Sequence, residues 1–240
     1  MSTLLLRLAA PMQSWGMDSK FERRYTERCP TKSGVIGLVA AALGRRRNES
    51  IEDLSALRFG VRIDQEGALL RDYHTSKSSE HPYESNRYYL SDAVFLAGLE
   101  GDEKFLSDIE QALSFPVFPL FLGRRSCPPE GRVSLGIRKG KALLEALQEE
   151  PLLISDWAKK KEPSGEPSKK SLRIVADATE EDTAVYYQRD MPISFDQTHR
   201  RFGFRRVFEY KLHSGSDSLN RHTSTPGITA HDPMAELEEG

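Results

Sequence analysis

Residues 29–44 read CPTKSGVIGLVAAALG. Pro30 ends whatever precedes it, Thr31 or Ser33 can cap a helix, and the apolar, small-residue run to Gly44 carries that helix into a core. A helix start presents unpaired backbone N–H groups and a partial positive charge, which together attract phosphate. Lys32 adds a full charge at that point. Just upstream lie Lys20, Arg23, Arg24 and Arg28, with Phe21 and Tyr25 between them. Basic residues interleaved with aromatics suit a nucleic-acid strand, the charges holding phosphates and the rings stacking on bases. The plainer alternative is an ordinary capped helix after a solvated loop.

Outward from this helix the chain alternates strand and helix patterns. LLLRLAA, near residues 3–9, reads as a buried strand, and 33–44 as the first helix. A short helix begins near Ser50, with Asp53 helping to cap it. RFGVRID (58–64) is a second strand and YYLSDAVFLAGL (88–99) a third. DEKFLSDIEQALS (102–114) carries an apolar helical stripe. VFPLFLG (117–123) is expected as a fourth strand, its prolines placing it at an edge or irregular position. This order predicts an α+β fold with a ferredoxin-like domain over 1–150. KALLEALQEE (141–150) reads as a short helix ended by Pro151. Residues 159–171 form a linker or mobile loop, the strands after it make a small β-rich C-terminal region within 151–213, and 214–240 is expected to be a disordered tail.

Composition narrows the function. The net charge of −2 supplies no overall basic excess, so a nucleic-acid surface must arise by segregation of charge. Lysine and arginine crowd 20–32, 45–47, 124–125 and 199–206; acid crowds 177–182 and the tail at Asp232, Glu236, Glu238 and Glu239. The only cysteines, Cys29 and Cys127, read as small buried residues of a cytoplasmic protein. No Cys or His spacing suits a metal, so neither metal nor cofactor is expected. The N-terminal apolar run is too short to span a membrane and lacks a signal-peptide layout, so no membrane partner is expected.

Four further segments accompany the opening stretch: PMQSWG (11–16), RDYHT (71–75), YYLSDAVF (88–95) and LGRRSCPP (122–129). As an ordered set they resemble the Cas-five-type subunits of the type I-E Cascade complex, within the RAMP superfamily of RNA-binding proteins. The resemblance implies an RRM/RAMP-type ferredoxin-like domain in which residues 65–88 project as a β-hairpin, the thumb. It implies a non-catalytic subunit that grips the 5′ handle of a mature CRISPR RNA and caps one end of the complex backbone. Its partners would be that RNA, the backbone and large subunits of Cascade and, indirectly, target double-stranded DNA.

The candidate RNA-binding residues follow. In the PMQSWG turn, Gln13 can hold a base edge and Trp15 can stack, unless Trp15 is a core aromatic. Arg24, Arg28, Thr31, Lys32 and Ser33 form the basic helix start. Arg124, Arg125 and Ser126 follow Gly123; the two arginines should point to different sides, one toward RNA and the other toward an acid. If the thumb is a hairpin, Arg71, Tyr73, His74 and Arg87 meet in one patch at its base, although Tyr73 is also open to a packing role. A last cluster, 197–207, carries four arginines for RNA, DNA or an acidic neighbour. The competing reading is a metal-independent endoribonuclease that processes precursor RNA, with Tyr73 or His74 as base and Lys77 or Arg71 as cation. A protein-binding scaffold is the third.

Overall fold

The computed structural model describes residues 1–16, 19–20, 23–77, 82–154 and 172–212. In strand β1 (Ser2–Ala9), Leu4, Leu6 and Leu8 face one core and Leu5 the other. Alternate side chains leave opposite faces of a strand, so a run of four buried leucines requires cover on both sides. The chain then makes three two-residue strands, β2 (Met12–Gln13), β3 (Ser19–Lys20) and β4 (Arg23–Arg24), before helix α1 (Lys32–Ala42) and the short α2 (Glu52–Ser55). Next come β5 (Arg58–Gln65), β6 (Ala68–Lys77), β7 (Pro82–Ser91) and β8 (Val94–Gly101), then α3 (Glu103–Ser114), β9 (Ser134–Arg138) and α4 (Leu143–Glu149). Strands β10 (Leu172–Asp177), β11 (Tyr186–Ser194) and β12 (Arg201–Leu212) close the described chain.

The main sheet has the order β11-β12-β10-β5-β8-β1-β9, with every pairing antiparallel. Its segment β5-β8-β1-β9, with α1 and α3 as crossovers, is the split βαβ arrangement of a ferredoxin-like domain. Helices α1 and α3 cover the face of Leu4, Leu6 and Leu8; α4 covers the face of Leu5 and Leu96. Arg62 joins α4 to the sheet from a fully buried position. It pairs with Asp64 and donates to the carbonyls of Leu147, Glu150 and Pro151, which a helix end leaves unpaired.

Three expectations change. The segment 88–99 is two strands, because Asp92 takes a positive φ of 55° and turns the chain between β7 and β8. VFPLFLG is not a strand. Two prolines deprive 114–119 of donors, and the backbone N–H groups of Val117 and Phe118 donate to Ala42 and Ala41 carbonyls at 3.0 and 3.2 Å, closing the C-terminus of α1. β9 is the fourth ferredoxin strand instead. Third, the β-rich C-terminal residues continue the main sheet through β10, which pairs β5 on one side and β12 on the other. The expected loop 159–171 and tail 214–240 lie outside the described residues.

A second sheet carries the hairpin. β6 and β7 pair over Ala68–Lys77 and Pro82–Ser91, and β7 also pairs β2 and β4. The thumb expected over 65–88 is thus a long hairpin rooted beside the PMQSWG turn.

Candidate nucleic-acid interface

The start of α1 attracts an anion, and the anion is internal. Thr31 caps the helix with φ −85° and ψ 148°, its hydroxyl accepting from the Gly34 N–H at 3.2 Å. The next free donor, the Lys32 backbone N–H, gives its hydrogen to Asp190 Oδ2 at 2.8 Å. Asp190 also accepts from Arg205 Nε and Nη2, at 2.6 and 3.0 Å. Lys32 Nζ and Arg205 Nη1 both reach Asp177, at 2.9 and 2.8 Å. Two cations and two carboxylates therefore close a buried quartet that ties α1 to β10, β11 and β12. Burial lowers the Lys32 pKa, opposed by Asp177.

This corrects four expected contacts. Thr31 and Lys32 are 1% and 3% exposed and present nothing to a phosphate. Gln13 is wholly buried; its amide donates to the Leu8 and Ala93 carbonyls, and its oxygen accepts from Trp15 Nε1. Trp15, 1% exposed, packs under Gly34, where a Cβ would lie 2.8 Å from the indole. The core reading of Trp15 holds, and these residues shape the scaffold beneath the interface.

The hairpin base divides into two faces. Cross-strand register sets Arg71 opposite Tyr88 and Tyr73 opposite Asn86, while Asp72 sits opposite Arg87 and His74 opposite Ser85. Directly paired residues share a face and neighbours alternate, so Arg71 and Tyr73 lie on one side and Arg87 and His74 on the other. The single expected patch is therefore two. On the first, Tyr25 stacks on Tyr88 with ring centroids 5.2 Å apart, and Arg71 donates to Asn86. Tyr73 is exposed, and a hydrogen bond to Glu84 raises its pKa. On the second, His74 pairs with Asp72, and the Arg124 guanidinium lies 4.7 Å over the Tyr89 ring. Arg124 also donates to the Arg24 and Tyr25 carbonyls. Among the described residues, Arg87 Nε and Arg124 Nη1 are buried without an acceptor. The side chains of Arg24, Arg28, Arg125 and Ser126 are exposed nearby in the chain.

Arg124 and Arg125 do diverge. The former turns to Tyr89 and backbone carbonyls rather than to an acid, and the latter lines a groove of about 840 Å³ across α1. Ser33 and Gly37 line it from the helix, and Arg45, Arg46 and Arg47 from the turn that follows. The 118–125 segment contributes Phe118 and Phe121, the β11–β12 turn contributes Phe195 and Arg200, and β12 contributes Phe202. Arg45 is held by Asp53 through its two terminal guanidinium nitrogens. Five arginines and four phenylalanines bring guanidinium groups and apolar ring faces into one groove, a combination that suits a nucleic-acid strand. The arginine run 45–47 signalled this site in sequence; the phenylalanines did not, because they come from segments some 80 residues apart.

Among the described residues no group of three His, Cys, Asp or Glu side chains converges on a metal position, and no helix is long and apolar enough to cross a membrane. Burial pushes the Cys29 thiol up to about 12 and raises that of Cys127.

Residues 3–208 match the protein family described as CRISPR-associated protein (Cas_Cas5). The chain belongs to this family. Over 158 residues it is 37% identical to the CRISPR system Cascade subunit CasD of Escherichia coli (strain K12), a match covering 56% of this chain and 70% of CasD. A crystal structure of a Cas protein superposes with a TM-score of 0.68 at 40% identity, covering 88% of this chain and 95% of that one. A chain of a CRISPR RNA-guided surveillance complex gives 0.72 at 29% identity, covering 88% and 90%.

Proposed function

We propose that this chain is a non-catalytic subunit of a Cascade-type antiviral surveillance complex, in which it grips the 5′ handle of the mature CRISPR RNA and caps the backbone. The observation that carries the reading is the arginine–phenylalanine groove over α1, which the Gly123–Ser126 turn joins to the hairpin base. Phosphates sit against Arg46, Arg47, Arg125 and Arg200, and unstacked bases meet the phenylalanines. At the hairpin base Arg24, Arg28, Arg87, Arg124 and Ser126 serve the same strand, with Tyr73 and His74 farther along the hairpin. The unpaired Arg87 Nε and Arg124 Nη1 are donors that a phosphate oxygen can satisfy. The likeness to a Cascade subunit and to a chain of a surveillance complex supports membership of such an assembly. Neighbouring backbone and large subunits, and through them target DNA, are the partners this reading assigns.

The geometry weighs against the nuclease alternative. Tyr73 and His74 leave opposite faces of β6, so they do not converge on one scissile phosphate. Incubation with labelled CRISPR repeat RNA in EDTA tests both readings in one tube. Binding with the RNA intact supports the holding subunit. Cleavage that persists in EDTA and is lost in His74→Ala or Tyr73→Ala overturns it.

A further inference from the structure

We infer that the outer face of β11 and β12 is a second single-stranded RNA surface, which carries the strand onward from the groove; this rests on the RNA-holding reading above. The main sheet is covered on its second side by α4, whose buried cluster reaches Ile174 and Ala176 of β10 and Phe208 and Tyr210 of β12. Beyond them, at the β11 edge, Tyr187 and Phe204 are 68% and 67% exposed. Both are on the same face. Tyr187 pairs directly with Arg206, and Phe204 lies two residues from Arg206 on β12. The alternation continues inward: Arg205 and Val207 turn into the core, while Phe204 and Arg206 turn out.

The exposed charge beside these rings is basic. Arg189 and Arg206 are exposed on this face, and among the described residues neither forms an ion pair. Isolated rings on a sheet face are commonly protein contacts, but Tyr187 directly opposite Arg206, with the exposed ring of Phe204 two residues along β12, provides a base platform beside a phosphate site.

The groove leads to this face. Phe195 and Arg200, at the two ends of the β11–β12 turn, line the groove, and so does Phe202. By strand alternation Phe202 lies on the same face of β12 as Phe204 and Arg206. Phe202, Phe204 and Arg206 thus form one row that starts in the groove and ends beside Tyr187. A strand leaving the groove over Arg200 meets Phe202, Phe204 and Arg206 in turn.

The test uses the full chain and two single-stranded RNAs of about 6 and about 16 nucleotides, spanning typical single-strand site sizes. The double variant Tyr187→Ala/Phe204→Ala should bind the long RNA on the order of tenfold more weakly, and the short one like wild type. Arg206→Gln should lower the salt slope for the long RNA alone, by about 0.7. The groove variant Arg46→Ala/Arg125→Ala should lose affinity for both lengths. If the groove variant is impaired and the Tyr187/Phe204 variant binds the long RNA like wild type, the second surface is refuted and the holding reading stands. An equal loss on both lengths also refutes an onward path. If the groove variant binds both RNAs like wild type, the holding reading itself fails. Retained RNA binding with failed assembly into the complex would make this face a protein contact and overturn the inference.

Discussion

Asp190→Ala should destabilise the fold by about 3–5 kcal/mol, the cost of breaking a buried ion pair from one side. Asp190 is fully buried and accepts three hydrogen bonds, two from Arg205 and one from the Lys32 backbone N–H. Without it, Arg205 and Lys32 share the single carboxylate of Asp177, leaving one buried positive charge uncompensated. The Lys32 N–H also loses its acceptor, which alone costs about 1–3 kcal/mol. A domain holds only about 5–15 kcal/mol in total, so the effect is large. Urea unfolding followed by the fluorescence of buried Trp15 measures it. With m of about 2–3 kcal/mol/M, the midpoint should fall by about 1–2.5 M. Asp190→Asn retains an acceptor for the helix start and should lose less. At urea-free temperatures where the variant stays folded, its RNA salt slope should match wild type, because the quartet holds no phosphate. A loss below about 1 kcal/mol, or a changed salt slope in the folded variant, would refute this assignment.

Trp15→Ala should cost about 3–5 kcal/mol of stability through the cavity left under Gly34, with the folded fraction binding RNA normally; a normal melting curve with weakened RNA binding would restore the stacking role. Gly123→Ala should destabilise the 122–127 turn and weaken RNA binding. Its φ is +84° and an added Cβ would collide with the Ser14 carbonyl, so limited proteolysis near Arg124 should accelerate. Asp53→Asn should release Arg45 into the groove and steepen the RNA salt slope by about 0.7, read by anisotropy titration at several salt concentrations. An unchanged or shallower slope would show that Arg45 does not face the strand.

The ferredoxin-like core was legible because its strands and helices carry their own periodicity. Leu4 to Leu8 declare a doubly covered strand, and Leu106, Ile109 and Leu113 mark the buried stripe of α3. What failed depended on tertiary partners. Nothing local distinguishes VFPLFLG from an edge strand; its role is set by the Ala41 and Ala42 carbonyls that it closes. The helix start was read as a phosphate site, but the anion it holds is Asp190, 158 residues away in sequence. The same distance hid the union of the C-terminal strands with the sheet, since β5 and β10 are locally complete without each other. Alternation along β6 and β7 was readable in principle and would have separated Tyr73 from His74. The groove needed the fold, because Arg46, Phe121 and Arg200 become neighbours only across α1.

The most direct test of the central claim is the salt dependence of handle RNA binding by wild type and by Arg46→Ala/Arg125→Ala, measured in EDTA. Each arginine that neutralises a phosphate on a single strand contributes about 0.7 to the slope of log K against log salt, so the double variant should be shallower by about 1.4 while the RNA stays intact. An unchanged slope and affinity would remove the groove from the RNA path and contradict the account.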